Sequence, residues 1–215
     1  MKTYNNFHSN YLEDQWIANN LQLPEKGVFV DVGACDAINR SNTYHFEMNG
    51  WTGLCIEPDK FYFSDGKDSE GPNNPLPKFR KQSINVAIAD YDGKISFTTR
   101  DRKCLSQVWT AEFFGSDSTA SYDIECFTLE TILQKYNITS IDILDISCRS
   151  YDWVVWNSFN YKKYTPKVII TEHSGRGYNL DNRVHDFLIN TGEYELCHTT
   201  DPDYIFKHKS INVNK

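Results

Sequence analysis

The sequence predicts an α/β fold: a mostly parallel sheet with helices on both faces, finished by an antiparallel C-terminal strand pair. Three observations carry this. Short apolar and β-branched runs alternate with helix-like segments to about residue 190, the pattern of a parallel sheet covered on both faces. The stretch VFVDVGACDAINRSNT at 28–43, followed by LCIEP at 54–58, runs strand, tight turn, helix start, strand, acid. That acid, Glu57, lies 24 residues after Gly33 (57 − 33), near the offset at which a carboxylate reaches ribose hydroxyls. Finally, two runs at 194–198 and 204–207 flank Asp201-Pro202-Asp203, a turn signal.

The elements follow in order. Residues 9–21 read as a helix, with Trp16, Ile17 and Leu21 on a partial apolar face and Asn10 with Glu13 as a capping pair. A strand is expected over 28–34. A helix capped by Ser41 and stopped by Gly50 follows, then a strand over 53–56. Residues 64–78, rich in proline, glycine and polar groups, read as a loop. Runs at 84–89 and 94–99 flank Asp92-Gly93 and predict a hairpin or strand pair. Residues 100–124 have no clear period, yet carry Trp109, Phe113 and Phe114. An insertion or lid over a site and an ordered surface excursion both remain open there. Thr128 caps a helix to Tyr136. Strands are expected over 141–146 and 167–172, with a helix over 152–159 between them. A further helix is capped by Asp181 and ended by Gly192.

Composition narrows the function. A length of 215 residues suits a single domain spanning 1–215, with the N-terminal helix (about 9–22) as a lead-in. With 40% hydrophobic and 14% aromatic residues, the chain can fill a core. A net charge of −7 argues against a nucleic-acid partner, which needs clustered Lys and Arg. Lys78, Arg80 and Lys81 read as a solvated loop. The start of the chain lacks a secretory pattern, and there is no apolar run of about 20 residues; the expectation is a cytoplasmic protein with no membrane partner. Six cysteines without CxxC spacing predict no metal, and Cys35, Cys55, Cys148 and Cys197, in or beside apolar runs, read as buried reduced thiols.

In a sheet of this kind, ligands sit beyond the carboxyl ends of the strands. That places residues 33–36, Glu57, 145–149 and 172–174 on one rim. The loop G-A-C-D-A has one glycine, not G-x-G-x-x-G, and no phosphate-binding G-x-x-x-x-G-K-[ST] is present. Asp36 occupies the place of a pyrophosphate and suits a cationic or amino-bearing ligand. S-adenosylmethionine fits, having ribose hydroxyls, a sulfonium, an ammonium and no phosphate.

VFVDVGACDAINRSNTYHFE, GWTGLCIEPD, NVAIADYDG, FTLETILQKYNITSIDILDI and KVIITEH, in this order, resemble the FkbM-like methyltransferases from about residue 10 to about residue 173. The resemblance implies a class I methyltransferase (Rossmann-like) fold, S-adenosylmethionine as donor, and O-methylation of a sugar or glycan hydroxyl. Carried over by position, Asp31, Gly33, Ala34, Asp36, Ser41 and Asn42 would line the methionine end. Glu57, beside Pro58, would hold the ribose, and Ala87 and Ile88 would lie near the adenine. The chain departs from the family pattern at Ala37, where a second glycine is usual. It departs again at Ser147, Arg149 and Ser150, where acids and a glycine are usual. A degenerate cofactor-binding or scaffolding module, and an α/β enzyme for another nucleoside ligand, stay as alternatives. For the base, His173 stands first, because histidine changes charge near neutral pH. Asp152 would orient the acceptor, and Asp145 and Glu172 also lie on or near the rim.

Overall fold

The computed structural model of the chain describes residues 6–64, 72–100, 107–108, 118–149, 151–173 and 181–214. Strands Val28–Val32 (β1), Thr52–Ile56 (β2), Ser83–Ile84 (β3), Ile143–Ile146 (β8), Val168–Glu172 (β9), Tyr194–Thr199 (β10) and Asp203–His208 (β11) form the main sheet. Its order is β10-β11-β9-β8-β1-β2-β3, and β11 alone runs against the others. A second sheet contains Ala87–Ile88 (β4), Gly93–Arg100 (β5), Gln107–Val108 (β6) and Ser118–Phe127 (β7), in the order β4-β7-β5-β6.

The period of two along the strands decides which residues meet which layer. Val30, Val32, Leu54, Ile56, Leu144, Ile146 and Ile169 face one core. Leu129–Lys135 (α4), Asp152–Asn157 (α5), Tyr161–Tyr164 (α6) and Arg183–Thr191 (α7) cover that face. Phe29, Cys55, Ile143, Val168 and Ile170 face the opposite core, closed by Glu13–Asn20 (α1), Tyr44–Met48 (α2) and Leu76–Phe79 (α3). Each buried Leu or Ile contributes about 1.5–3 kcal/mol. Core on both sides is why the strand sequences are almost continuously apolar. The order also sets the site. From β1 the chain winds outward through β2 and β3, and later outward the other way from β8, so β1 and β8 flank the switch point.

Several expectations are corrected. The segments at 84–89 and 94–99 do not pair with each other. The ten-residue β7 lies between them, parallel to β4 and antiparallel to β5. Asp92, read as a hairpin residue, accepts the Thr128 N–H and the Thr131 hydroxyl at the start of α4. Residues 118–124 of the expected insertion therefore belong to a strand. Residues 101–106 and 109–117, with Trp109, Phe113 and Phe114, lie outside the described residues, as do Ser150 and Ser174. The lead-in helix starts at Glu13 rather than Ser9. Asp14 draws the Ser9 hydroxyl and the His8 and Ser9 N–H groups, and Glu13 takes the Tyr11 N–H, in place of an Asn10–Glu13 pair. Residues 76–78 of the expected loop fall in the helix Leu76–Phe79, and α6 was not foreseen. Other expectations hold: Thr128 caps α4, Gly192 ends α7 in the left-handed region, and β10 pairs antiparallel with β11. The five described cysteines are free thiols; Cys104 lies outside the described residues.

Candidate functional site

The turn after β1 is built from two close approaches. Gly33 has φ +89°, and a Cβ there would lie 2.3 Å from the Ser147 carbonyl oxygen at the end of β8. Only glycine lets the ends of β1 and β8 come this near. Past Gly33, the N–H groups of Gly33 and Ala34 donate to Ile56 O, and that of Cys35 donates to Glu57 Oε2 at 2.9 Å. The Ala37 N–H reaches Asn74 O, and those of Ile38 and Asn39 reach Asp36 Oδ1. These N–H groups are consumed within the chain and leave no cradle for a pyrophosphate.

Glu57 is 6% exposed at the end of β2. Its Oε2 accepts from Cys35 N and its Oε1 from Asp59 N at 2.7 Å. Next to it, Asp59 Oδ2 is buried without a hydrogen-bond partner. An orphaned buried acceptor is costly unless something supplies a donor, and a ribose or adenine N–H or O–H would do so. Tyr122 reaches over from β7. Its hydroxyl donates to Pro58 O and accepts from Lys60 N, and burial helps push its pKa up to about 12. Asn85 binds the carbonyls of Glu57 and Pro58. Ala87 and Ile88 are buried in β4 nearby in sequence.

Asp31, Ser41 and Asn42 lie deeper. Asp31 accepts the Thr43 hydroxyl and lies 3.8 Å from Arg80 Nη1. Burial raises its pKa, against the opposing pull of Arg80 and Thr43. Arg80 also bonds Glu47, the Ala37 carbonyl, the Ser41 hydroxyl and Thr43 Oγ1 (2.7 Å). Sequence reading put Arg80 in a solvated basic patch; it is 4% exposed and pins the 37–47 segment to the sheet. Nothing in KFRKQS marks it, because the partners come from elsewhere in the chain. Asn42 bonds Asp145, the register neighbour of Asp31. Asp36, partly buried, also accepts from Asn74 Nδ2.

Asp145 is 3% exposed and accepts the Ser147 hydroxyl at 3.0 Å. Burial, then the charges of Asp31 and Asp203, push its pKa well above the ordinary value. The native state therefore holds this proton more tightly than the unfolded chain does. The resulting stability is full below the ordinary carboxylate range and is lost as pH rises through the raised value. Asp145→Asn keeps the acceptor and discards the charge. We expect its melting temperature to fall less than the parent's between about pH 5 and about pH 8; an equal or steeper fall in a pH series of thermal melts would contradict this burial.

Asp152 is fully engaged. Its Oδ1 accepts Cys148 N, and its Oδ2 accepts the Thr171 hydroxyl and Glu172 N. It shapes the loop after β8. Glu172 Oε2 accepts Arg149 N at 2.8 Å. His173 turns the other way: its Nε2 donates to Thr200 O at 3.0 Å and its ring lies 4.3 Å from that of Tyr204. A carbonyl can only accept, so Nδ1 is the basic nitrogen of the neutral ring. The structure thus joins Gly33, Ala34, Cys35 and Glu57 at one end, and Asn42, Asp145 and Ser147 at the switch point. His173 sits at the far end, two strands from β1. Sequence reading missed Arg80, Asp59, Glu13 and Asp203.

No helix among the described residues is long and apolar enough to cross a membrane. The comparisons with curated proteins and with solved structures found no match. A family model described as the methyltransferase FkbM domain matches residues 31–196.

Proposed function

The chain belongs to the methyltransferase FkbM domain family, and from that premise we propose that it is an S-adenosylmethionine-dependent O-methyltransferase acting on a hydroxyl of a sugar or glycan. Its mostly parallel sheet is that of a class I methyltransferase. The observation that carries the cofactor reading is the end of β2: Glu57, a buried carboxylate at the strand's carboxyl end, lies next to the orphaned Asp59 Oδ2 and a turn with no phosphate cradle. When bound, S-adenosylmethionine supplies a methyl on a sulfonium, which needs only an aligned oxygen nucleophile. Glu57 and Asp59 would hold the ribose, with Pro58, Ala87 and Ile88 beside the nucleoside. Gly33, Ala34, Asp36, Ser41 and Asn42 would line the amino-acid end, with Asp31 holding that wall through Thr43 and Arg80.

The test is ligand binding. S-adenosylmethionine or S-adenosylhomocysteine should raise the melting temperature, whereas NAD and ATP should not; a hundredfold excess over Kd is worth about 2.7 kcal/mol. Glu57→Gln should weaken S-adenosylhomocysteine about tenfold or more in calorimetry, since charge-assisted hydrogen bonds are worth roughly 1.5–3 kcal/mol. Unchanged affinity would put the ribose elsewhere.

Removal of the acceptor proton falls to His173 on this reading. Burial and neighbouring carboxylates hold Asp145 and Asp152 toward their protonated forms, and the Asp152 oxygens are taken. With an acceptor found by mass spectrometry of a sugar panel and labelled donor, His173→Ala should cut turnover by about 10²-fold or more. S-adenosylhomocysteine affinity should stay unchanged. Full activity in the variant would move the base elsewhere. A chain that binds cofactor and methylates nothing would favour the scaffolding reading, which the serine and arginine at 147 and 149 keep in view.

A further inference from the structure

The turn after β2 is gripped from the second sheet. Asn85 precedes β4, and Tyr122 stands on β7, the strand with which β4 and β5 both pair. The two side chains reach one peptide group, that between Pro58 and Asp59. Its carbonyl accepts from Asn85 Nδ2 at 3.0 Å and from the Tyr122 hydroxyl at 3.2 Å. Its N–H donates to Glu57 Oε1 at 2.7 Å. A trans peptide is planar, with C=O and N–H pointing opposite ways, so holding the carbonyl aims the N–H. The Tyr122 hydroxyl also accepts the Lys60 N–H at 3.2 Å, which belongs to the next peptide group. The carbonyl of that second group, Asp59 O, accepts from Tyr62 N. One phenol oxygen thus holds both peptide planes that meet at the Asp59 Cα. Asp59 itself is 1% exposed, with its Oδ1 on the Phe61 N–H and its Oδ2 without a partner.

The phenol ring is itself held in place. Phe97, its register partner on β5, is buried and meets it edge to face, with 5.8 Å between centroids. Lys60 Nζ lies 4.7 Å from the ring centre. A carboxylate that is free to turn must be ordered when the ligand arrives, and that ordering opposes binding; one already aimed by its neighbours avoids the cost. We propose that Tyr122 is a positioning residue for the nucleoside end of the cofactor. Its hydroxyl holds the 58–60 turn, and the turn holds Glu57 and Asp59 in their binding orientation before the ligand enters. This rests on the reading of Glu57 as the ribose carboxylate. It gives the second sheet a task in cofactor binding, although the main sheet supplies the carboxylate.

The test is a double-mutant cycle in the full chain, read by calorimetry with S-adenosylhomocysteine. Tyr122→Phe keeps the ring, its Phe97 contact and the Lys60 cation, and removes only the hydroxyl. It should weaken binding about three- to tenfold, the range expected for one or two hydrogen bonds. In the Glu57→Gln background the same change should cost under about twofold, because the charge it positions is gone. Lys60→Pro breaks the contact from the other side, at the first position of a helical turn, where proline is tolerated. It should weaken binding in the same direction, and it reads the contact even if Tyr122→Phe folds poorly. Unchanged affinity in both variants would overturn the positioning role. So would an equal loss from Tyr122→Phe with and without the Glu57 carboxylate, the result of a hydroxyl that only steadies the fold. Failure of the parent chain to bind S-adenosylhomocysteine is a different outcome, and would take down the cofactor reading as well.

Discussion

Arg80→Met should lower the stability of the native state by about 3–5 kcal/mol, the usual cost of stripping one partner from a buried ion pair. The guanidinium lies over the Phe29 ring, bonds Glu47, and reaches Ala37 O, Ser41 and Thr43. Without it, the buried Asp31 and Glu47 carboxylates lose the guanidinium that lies against both. Arg80→Lys should recover little, because a point charge cannot serve several acceptors in a planar fork. Urea unfolding measures the loss. A midpoint shift worth under about 1 kcal/mol in the methionine variant would mean that the carboxylates simply take up protons and that the cluster is not held by charge. Loosening of the 37–47 segment should also weaken S-adenosylhomocysteine, so affinity and stability should fall together.

Gly33→Ala should be nearly as damaging, at roughly 2–6 kcal/mol. Positive φ strains an L side chain, and the new methyl would overlap the Ser147 carbonyl, each effect costing about 1–3 kcal/mol. That methyl meets backbone rather than a movable side-chain end, so relief requires separating the ends of β1 and β8. Cofactor affinity should drop with it. A variant that unfolds at the parent's midpoint would show that the two strand ends are not in contact.

Much of this architecture can be read in the chain because its signals are local. The run at 28–32, the positive-φ glycine after it and the acid 24 residues on need only neighbouring residues to be recognised, and Thr128 and Gly192 mark helix ends by their own chemistry. The hairpin at Asp92-Gly93 went wrong because turn residues report that the chain reverses, not which strand fills the space between its arms. Arg80, Glu13 and Asp203 were missed for a related reason. In KFRKQS, YLEDQW and TDPDY they look like an exposed patch, a first-turn acid and a turn residue. Their burial comes from elements remote in sequence, which composition and period do not encode. Glu57 was legible as an acid at a strand end; its use of Cys35 N and Asp59 N was not.

The central pairing of β1 with β8 joins segments more than a hundred residues apart; the Val28 N–H to Asp142 bond alone spans 114 positions. On a ribosome adding about 5–20 residues per second, β1 would wait on the order of ten seconds for its second neighbour. During that wait only the β2 side of the strand can be paired, and its open edge carries VFVDV, an aggregation-prone kind of sequence. The newborn chain should thus be most dependent on chaperones between the emergence of residue 56 and that of residue 146, an interval in which pulse-labelled nascent chains should be most sensitive to protease.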